Sequence, residues 1–367
     1  MFLKKLSVIN FKNLAQVELS FASRINCFVG GNGAGKTNVI DAIYYLSMCK
    51  SALTMTDAQS VRHETDFFLL DAEYSTASDK KESVVCSFKK GGGKALKRNG
   101  KEYEKLSSHL GLVPVVIVSP ADTVLVNDAA EERRRWLNSF LSQLDKGYLA
   151  AIIRYNHVLS ERNRLLKQFD GGRSAGEIME ILDMQLVEAG EVVHHKRAEI
   201  VERIIPYVAE YYRILSDDSE QVELHYRSEL NDTPFADLLA AAREKDRVNQ
   251  FTTSGIHRDD MKMKIGGYQL RKYGSQGQQK SFLIALKLAQ YSIVAEHTGE
   301  KPILLLDDLF DKLDMQRVER LIKLVSREDF GQIFITDCNK VRLEGILESS
   351  GQDYALFNVE DGKTERP

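Results

Sequence analysis

Residues 25–46 read INCFVGGNGAGKTNVIDAIYYL, and the glycine-rich centre of that stretch decides how the chain folds. Ile25 to Val29 is a short apolar run of strand type, and beyond the glycines Val39, Ile40, Ile43 and Leu46 recur at the spacing of one helical face. The loop between them, Gly30-Gly31-Asn32-Gly33-Ala34-Gly35-Lys36-Thr37, fits G-x-x-x-x-G-K-[ST] in the strand, loop, helix context that the motif requires. Glycine lets the backbone wrap a triphosphate with its N–H groups turned inward. Lys36 is then placed to neutralise β/γ oxygens, and Thr37 to hold Mg²⁺. The expected cofactors are ATP and Mg²⁺.

Such a site needs a carboxylate at the end of a neighbouring apolar strand. Residues 302–310, PILLLDDLF, supply it: Ile303 to Leu306 can lie inside a sheet, leaving Asp307 at the carboxyl end to hold the metal directly or through water. Asp308 projects beside it. Two adjacent acids are costly to bring together without a cation, which favours metal and water chemistry, with Asp308 orienting or deprotonating the attacking water. A helix cap is the alternative role for Asp308.

Outward from these two motifs the chain reads as sheet, helical insert, sheet. FLKKLSVINF, QVELSF, FFLLDAEYS, SVVCSFKK and ALKRNGKEY read as strands, with Asn99-Gly100 a hairpin turn, and LVPVVIVSP as a buried strand. From about residue 129 to 215 the period is helical, with Glu177 to Ile205 as one long segment before Pro206. Polar strands return near 222–275, and PILLLDD, a helix near 315–327 and QIFITD close the pattern. Two interleaved domains are expected: lobe I over 1–123 and 280–367, and a mainly helical lobe II over 124–279.

Composition is that of an ordinary soluble globular protein: 43% hydrophobic, 28% charged, net charge −3. No apolar run approaches the ~20 residues of a membrane span, and MFLKKLSVIN alternates like a strand rather than a signal core, so a cytoplasmic location is expected. Cys27, Cys49, Cys86 and Cys338 are scattered without a C-x-x-C pair, which argues against a disulfide framework or a zinc site. The overall charge shows no nucleic-acid signature, so any such binding has to use a local basic patch.

A second phosphate-facing element is present. Residues 273–281, YGSQGQQKS, run into FLIALKLAQYSIVAEH and have the look of an anion-binding helix start. In the order glycine loop, insert, this motif, then paired acids with Leu313-Asp314 after them, the chain resembles the ABC-type ATPase heads of the SMC and recombination-repair group. SGIHRDD, VSPADTVLV, RRRWLN and LSERNRLLK narrow the match over nearly the whole length to the RecF family of bacterial DNA replication and repair proteins. Ile256, Asp311, residues 128–130 and the missing arginine near residue 53 depart from that family's pattern.

The resemblance implies an α/β fold: an ABC-type P-loop head, its N-terminal β-sandwich-like sheet joined to an α/β core, with a helical lobe inserted that ends in the signature motif. It implies that Ser275 and Gly277, with Gln278, contact the γ-phosphate of ATP held by a second copy, so that ATP closes a homodimer. Lys12, Asn13 and Asp314 would lie near nucleotide, and Thr336 would sense the γ-phosphate. It further implies slow, DNA-dependent hydrolysis of ATP to ADP and phosphate, binding to duplex and junction DNA at the nucleoid, and work with RecR, RecO and RecA in gap repair. Rival readings are an SMC-like structural, chromosome-organising head, a transporter motor and a small-molecule kinase. An SMC head would need hundreds of heptad residues in the insert.

From the residues themselves, the clearest basic run is Lys89, Lys90, Lys94, Lys97, Arg98 and Lys101, with no acid among residues 89–101. On a hairpin it could track a phosphate backbone, and it could equally be a solvated edge that discourages strand pairing. Arg133-Arg134-Arg135 cannot share one helical face, so an internal ion pair is expected among them, and Arg162, Arg164 and Lys167 are further candidates for DNA.

Overall fold

The computed structural model describes the chain except for residues 77–79, 128–129, 169–172, 218–219, 310–312, 351–353 and 366–367. Asp311 and two of the three residues at 128–130, noted above as departures, lie outside the described residues. The chain divides into two compact units, Met1–Asp122 with Tyr211–Ser219 and Ser275–Pro367, and Thr123–Glu210 with Glu220–Gly274. The helix start at Ser275 falls with the first.

That first unit begins with β1 (Phe2–Phe11), β2 (Leu14–Ser20), β3 (Ile25–Val29), α1 (Lys36–Met48), β4 (Phe67–Ser75), β5 (Lys81–Lys89), β6 (Gly93–Arg98), β7 (Lys101–Glu102) and β8 (Val115–Val118). The insert carries α2 (Val124–Asn127), α3 (Ala130–Leu144), α4 (Lys146–Lys167), α5 (Arg173–Ser216), β9 (Val222–Arg227), α6 (Phe235–Asn249), β10 (Asp260–Ile265), β11 (Tyr268–Gln269) and α7 (Leu270–Tyr273). The chain then runs through α8 (Gln276–Thr298), β12 (Ile303–Leu306), α9 (Met315–Val325), β13 (Ile333–Asp337), α10 (Lys340–Ser350), β14 (Tyr354–Glu360) and β15 (Lys363–Glu365).

Two six-stranded sheets form the first unit, in the orders β2-β1-β4-β5-β6-β7 and β15-β14-β3-β13-β12-β8. The first is antiparallel, and its strands alternate, with Leu3, Leu6 and Val8 buried along β1 and Leu70 and Ala72 along β4. The second is parallel except at β15, and β3, β12 and β13 are buried at every residue, as strands covered on both faces must be. Helix α1 contributes Val39, Ile40, Ile43 and Leu46 to a single core shared by residues of both sheets. Burying four such side chains stabilises the unit by roughly 6–12 kcal/mol before the entropy of ordering them is counted. This is an α/β head with a sandwich-like N-terminal sheet.

Three elements differ from the sequence expectation. Residues 235–249 form a helix, α6, with Phe235, Leu239, Ala242 and Asp246 buried on one stripe, rather than part of a run of polar strands. Helix α5 continues through Pro206 to Ser216. An interior proline costs about 3 kcal/mol, and burial of Val208, Tyr212 and Leu215 beyond it offsets that cost. The C-terminal β14 pairs in parallel with β3 and completes the sheet on the far side of the glycine-loop strand.

In the second unit β11-β10-β9 form a small antiparallel sheet, against which α3 and α7 pack at β10. Its helices are held by buried ion pairs. Arg162, 1% exposed, donates to Asp183 and Asp246 at 2.7 Å each, and Arg197 reaches Asp259 at 2.7 Å. Arg162 is therefore an internal strut with its guanidinium committed. Arg133 pairs with Asp260 at 2.6 Å, and Arg135 with Glu131 and Glu132. No described helix is long and apolar enough to cross a membrane.

Candidate nucleotide site

The glycine loop spans the gap between β3 and α1, and the backbone explains its composition. At Gly30 an added Cβ would lie 2.1 Å from the Val359 carbonyl oxygen of β14, so the close approach of two strand ends requires glycine. Gly35 caps α1 at φ 115°, a conformation that L side chains rarely adopt. The loop is tied on both sides: Gly362 N donates to Ala34 O at 2.8 Å, and Asn13 Nδ2 to Gly33 O at 3.3 Å. Lys36 is almost fully buried and donates through Nζ to Gly30 O and Gly31 O at 2.8 Å each, which holds the ammonium against the loop backbone.

Asp307 emerges from β12 with its backbone fixed, because its N–H donates to Val118 O at 2.8 Å and extends the β12–β8 ladder by one residue. Its Oδ1 accepts from Thr37 Oγ1 at 2.9 Å and from Thr336 Oγ1 at 2.7 Å. Burial pushes the Asp307 carboxyl above the usual range, opposed by the two threonine hydroxyls, reinforced by Asp308 and opposed again by Lys36. Thr336 also accepts from Asp308 N at 2.9 Å. One hydroxyl thus locks both acids. Asp308 sits at φ 46°, in the left-handed region, where the chain turns out of β12.

Asp308 has neighbours that the sequence did not place. Asp337, at the end of β13, and Cys338 bring a carboxylate oxygen and the sulfur within 4.8 Å of an Asp308 oxygen. Their only trace in the sequence is their place at a core strand's carboxyl end. Lys12 and Asn13 separate in role. Asn13 touches the loop and accepts from Asn38 at 2.7 Å, whereas Lys12 Nζ is ion-paired with the fully buried Asp41 at 2.6 Å and supports α1 from behind.

The second motif is a capping box. Ser275 Oγ accepts from Gln278 N at 3.2 Å while Gln278 Oε1 accepts from Ser275 N at 2.6 Å. Ser275 is exposed, whereas Ser281 through Tyr291 on the same helix are buried. Asp314 caps α9 by accepting from Arg317 N at 2.8 Å, and the Arg317 side chain spans Asp314 Oδ2 at 3.3 Å and Ser281 Oγ at 3.3 Å. Its Nη1 lies 2.9 Å from where a Gly277 Cβ would be. Arg317 thereby joins the acid-loop cap to the Ser275 helix. Sequence reasoning missed it; its spacing of three from a capping aspartate was the available signal.

Of the basic run, Lys94 is committed internally: Nζ contacts Asp57 Oδ2 at 2.8 Å and Cys49 O at 2.6 Å, and lies over the Tyr45 ring. Arg98 is bidentate on Glu82, at 2.8 and 3.1 Å. Lys90 Nζ donates to Thr65 O, and Lys89, Lys97 and Lys101 are exposed, Lys97 directly across from Glu102.

A glycine loop wrapped on a buried lysine, a threonine hydrogen-bonded to a strand-end aspartate and a parallel core beside an antiparallel sheet define a P-loop ATPase head of the ABC type. The chain matches the RecF/RecN/SMC N-terminal domain family over residues 2–364. It is 48% identical to the DNA replication and repair protein RecF of Parabacteroides distasonis over 100% of this chain and 99% of that protein, and 45% identical to that of Flavobacterium johnsoniae over 98% and 100%. It is similar to the solved recombination mediator protein RecF with ATP in the RecFOR pathway (TM-score 0.89, 31% identity, 100% of this chain and 97% of that one). An Smc head from Pyrococcus furiosus shares the fold at TM-score 0.57 and 15% identity, covering 100% of this chain and 96% of that one. The chain belongs to the RecF family.

Proposed function

We propose that the chain is an ATP-dependent DNA-binding protein of recombinational gap repair, in which ATP closes a homodimer on duplex or junction DNA and slow hydrolysis to ADP and phosphate releases it. The hydrogen-bonded line Thr37–Asp307–Thr336–Asp308 beside the glycine loop carries this reading. Thr37 and Asp307 offer a hydroxyl and a carboxylate oxygen 2.9 Å apart, hard donors suited to Mg²⁺ with water and phosphate oxygens completing the shell. The raised carboxyl of Asp307, a buried acid short of positive charge, fits the same cation. When bound, Mg²⁺ would neutralise charge on the β and γ oxygens.

Lys36 positions the phosphates, Asp308 orients or deprotonates the attacking water, and Thr336 fixes Asp308. Ser275, Gly277 and Gln278, at an exposed helix start, meet the γ-phosphate bound by the second copy, with Asp314 held beside them by Arg317. Lys89, Lys90, Lys97 and Lys101 remain as the candidate DNA cations of the hairpin. By analogy with named relatives, RecR is the partner at the junction, with RecO and RecA downstream, in the cytoplasm at the nucleoid. The test is ATP-dependent dimerisation and retention of duplex DNA, followed by light scattering and gel shift. Wild type should show both with ATP and neither with ADP, and Lys36→Met should show neither. A Lys36→Met protein that dimerises and holds DNA normally would refute the reading. An SMC-like structural head has less support, because α4 and α5 supply at most 22 and 44 residues.

A further inference from the structure

Two tyrosines of the second unit are exposed in a way that packing does not explain. Tyr268 on β11 is 64% exposed and Tyr273 at the end of α7 is 67% exposed, with ring centroids 5.3 Å apart and planes at 53°. Aromatic side chains bury most of their surface when their work is structural, and a pair of neighbouring exposed rings is instead a platform for another flat ring. The surroundings say which kind. From residue 261 to 295 the chain has no aspartate or glutamate, while Lys262 and Lys264 precede the two tyrosines and Arg271 and Lys272 lie between them. Arg271 and Lys272 are exposed between them.

In the same unit a cavity of about 130 Å³ is lined, among the described residues, by Arg133, Lys262 and Arg271 together with Gln269 and apolar side chains. Taking about 30 Å³ per water, it has room for about four waters or one phosphate group. Asp260 is shared between Arg133 at 2.6 Å and Lys262 at 2.8 Å, and Lys264 reaches Glu223 at 3.4 Å. Gln269 and Arg271 of the cavity lie between Tyr268 and Tyr273 in the chain. Exposed cations set between two exposed rings are an arrangement that takes a phosphodiester strand with unpaired bases, the rings receiving the bases and the cations the backbone. Two residues beyond Tyr273 lies Ser275.

We propose that Tyr268 and Tyr273, with Arg271 and Lys272, form a single-stranded DNA site that engages the unpaired strand at a gap. The inference rests on the DNA-binding reading above and deepens it. The exposed hairpin lysines are suited to duplex phosphates, and this surface distinguishes a junction from plain duplex.

The test compares the full chain, with ATP, on a blunt duplex, on a gapped duplex of the same length and on oligothymidine, for wild type, Tyr268→Ala/Tyr273→Ala and Tyr268→Phe/Tyr273→Phe. The alanine pair should lose about 5- to 150-fold in affinity per stacked base on gapped duplex and oligothymidine. Blunt-duplex affinity should stay within twofold, and the phenylalanine pair should behave as wild type. Arg271→Ala/Lys272→Ala should lower the salt slope on oligothymidine by about 0.7 for each phosphate no longer neutralised. Wild-type affinity of the alanine pair for gapped duplex, with normal blunt-duplex binding, would overturn this proposal alone. So would equal loss on all three probes, or loss of ATP-dependent dimerisation, which would make the surface a protomer interface. Failure of wild type to bind any of the three would remove the underlying DNA-binding reading as well.

Discussion

Thr336→Val is the most revealing single change in the nucleotide site, because valine keeps the shape and deletes one hydroxyl that serves both acids. In the structure that hydroxyl donates to Asp307 Oδ1 at 2.7 Å and accepts from Asp308 N at 2.9 Å, at a residue with no solvent exposure. A hydrogen bond to a charged group contributes about 1.5–3 kcal/mol, and a buried N–H left without a partner costs about 1–3 kcal/mol, so with partial relaxation the loss is about 2–4 kcal/mol. For a unit of this size that lowers Tm by roughly 6–12 °C. Two functional consequences follow. The Thr336 hydroxyl helps hold the Asp307 carboxyl down, so its loss raises that carboxyl further and moves the acid limb of Mg²⁺-dependent ATP binding to higher pH. Asp308, released from its left-handed turn, loses its aim, and hydrolysis should fall about 10- to 100-fold with much smaller change in KM. Scanning calorimetry and ATPase assays across pH measure both. A variant melting within 1–2 °C of wild type, far inside the shift worked from the two bonds, and hydrolysing normally would refute the role given to this hydroxyl.

Gly30→Ala places a methyl group 2.1 Å from Val359 O, a backbone atom that cannot step aside, so urea denaturation should show a loss of about 2–5 kcal/mol; a neutral result would mean that β14 does not close on the loop. Lys94→Ala and Lys97→Ala should dissociate stability from DNA binding. The first removes the cation from Asp57, which keeps the Tyr45 hydroxyl, and costs about 1–3 kcal/mol with the salt slope unchanged, whereas the second leaves stability alone and lowers the slope by up to about 0.9. His109 is buried and His257 half-buried, and the pKa of each is pushed below the ordinary 6.5, chiefly by desolvation. The unfolded chain therefore binds more protons than the folded one in this window. Stability is present above pH 6.5 and is lost as pH falls through the depressed values, and His257→Gln should flatten part of that slope in denaturant titrations.

Much of the head was legible because its chemistry is local. The glycine loop needs its residues in one run, and the strand that delivers Asp307 is four consecutive apolar residues, so both could be read without tertiary information. What stayed hidden depends on partners distant in sequence. That Lys12 pairs with Asp41, and Lys94 with Asp57 and the Cys49 carbonyl, shows only once the chain is folded. Arg162 lies in a charged helical stretch but is buried by Asp183 and Asp246, which are 21 and 84 residues away. Helix α5 runs through Pro206 because burial on both sides outweighs a local penalty that the sequence shows at full strength. Strand β14 has the alternation of any edge segment, and only its pairing with β3 reveals that it borders the glycine loop.

Mixing two inactive variants probes the shared pocket at its root. Lys36→Met removes the phosphate-holding ammonium, and Ser275→Arg blocks the helix start meant for the other copy's nucleotide, so each homodimer should be silent. Neither variant closes a pocket with its own kind, but a mixed pair has one intact pocket out of two, so an equal mixture should regain ATPase activity, up to about half that of wild type. A mixture as inactive as its components would contradict a pocket assembled from two copies.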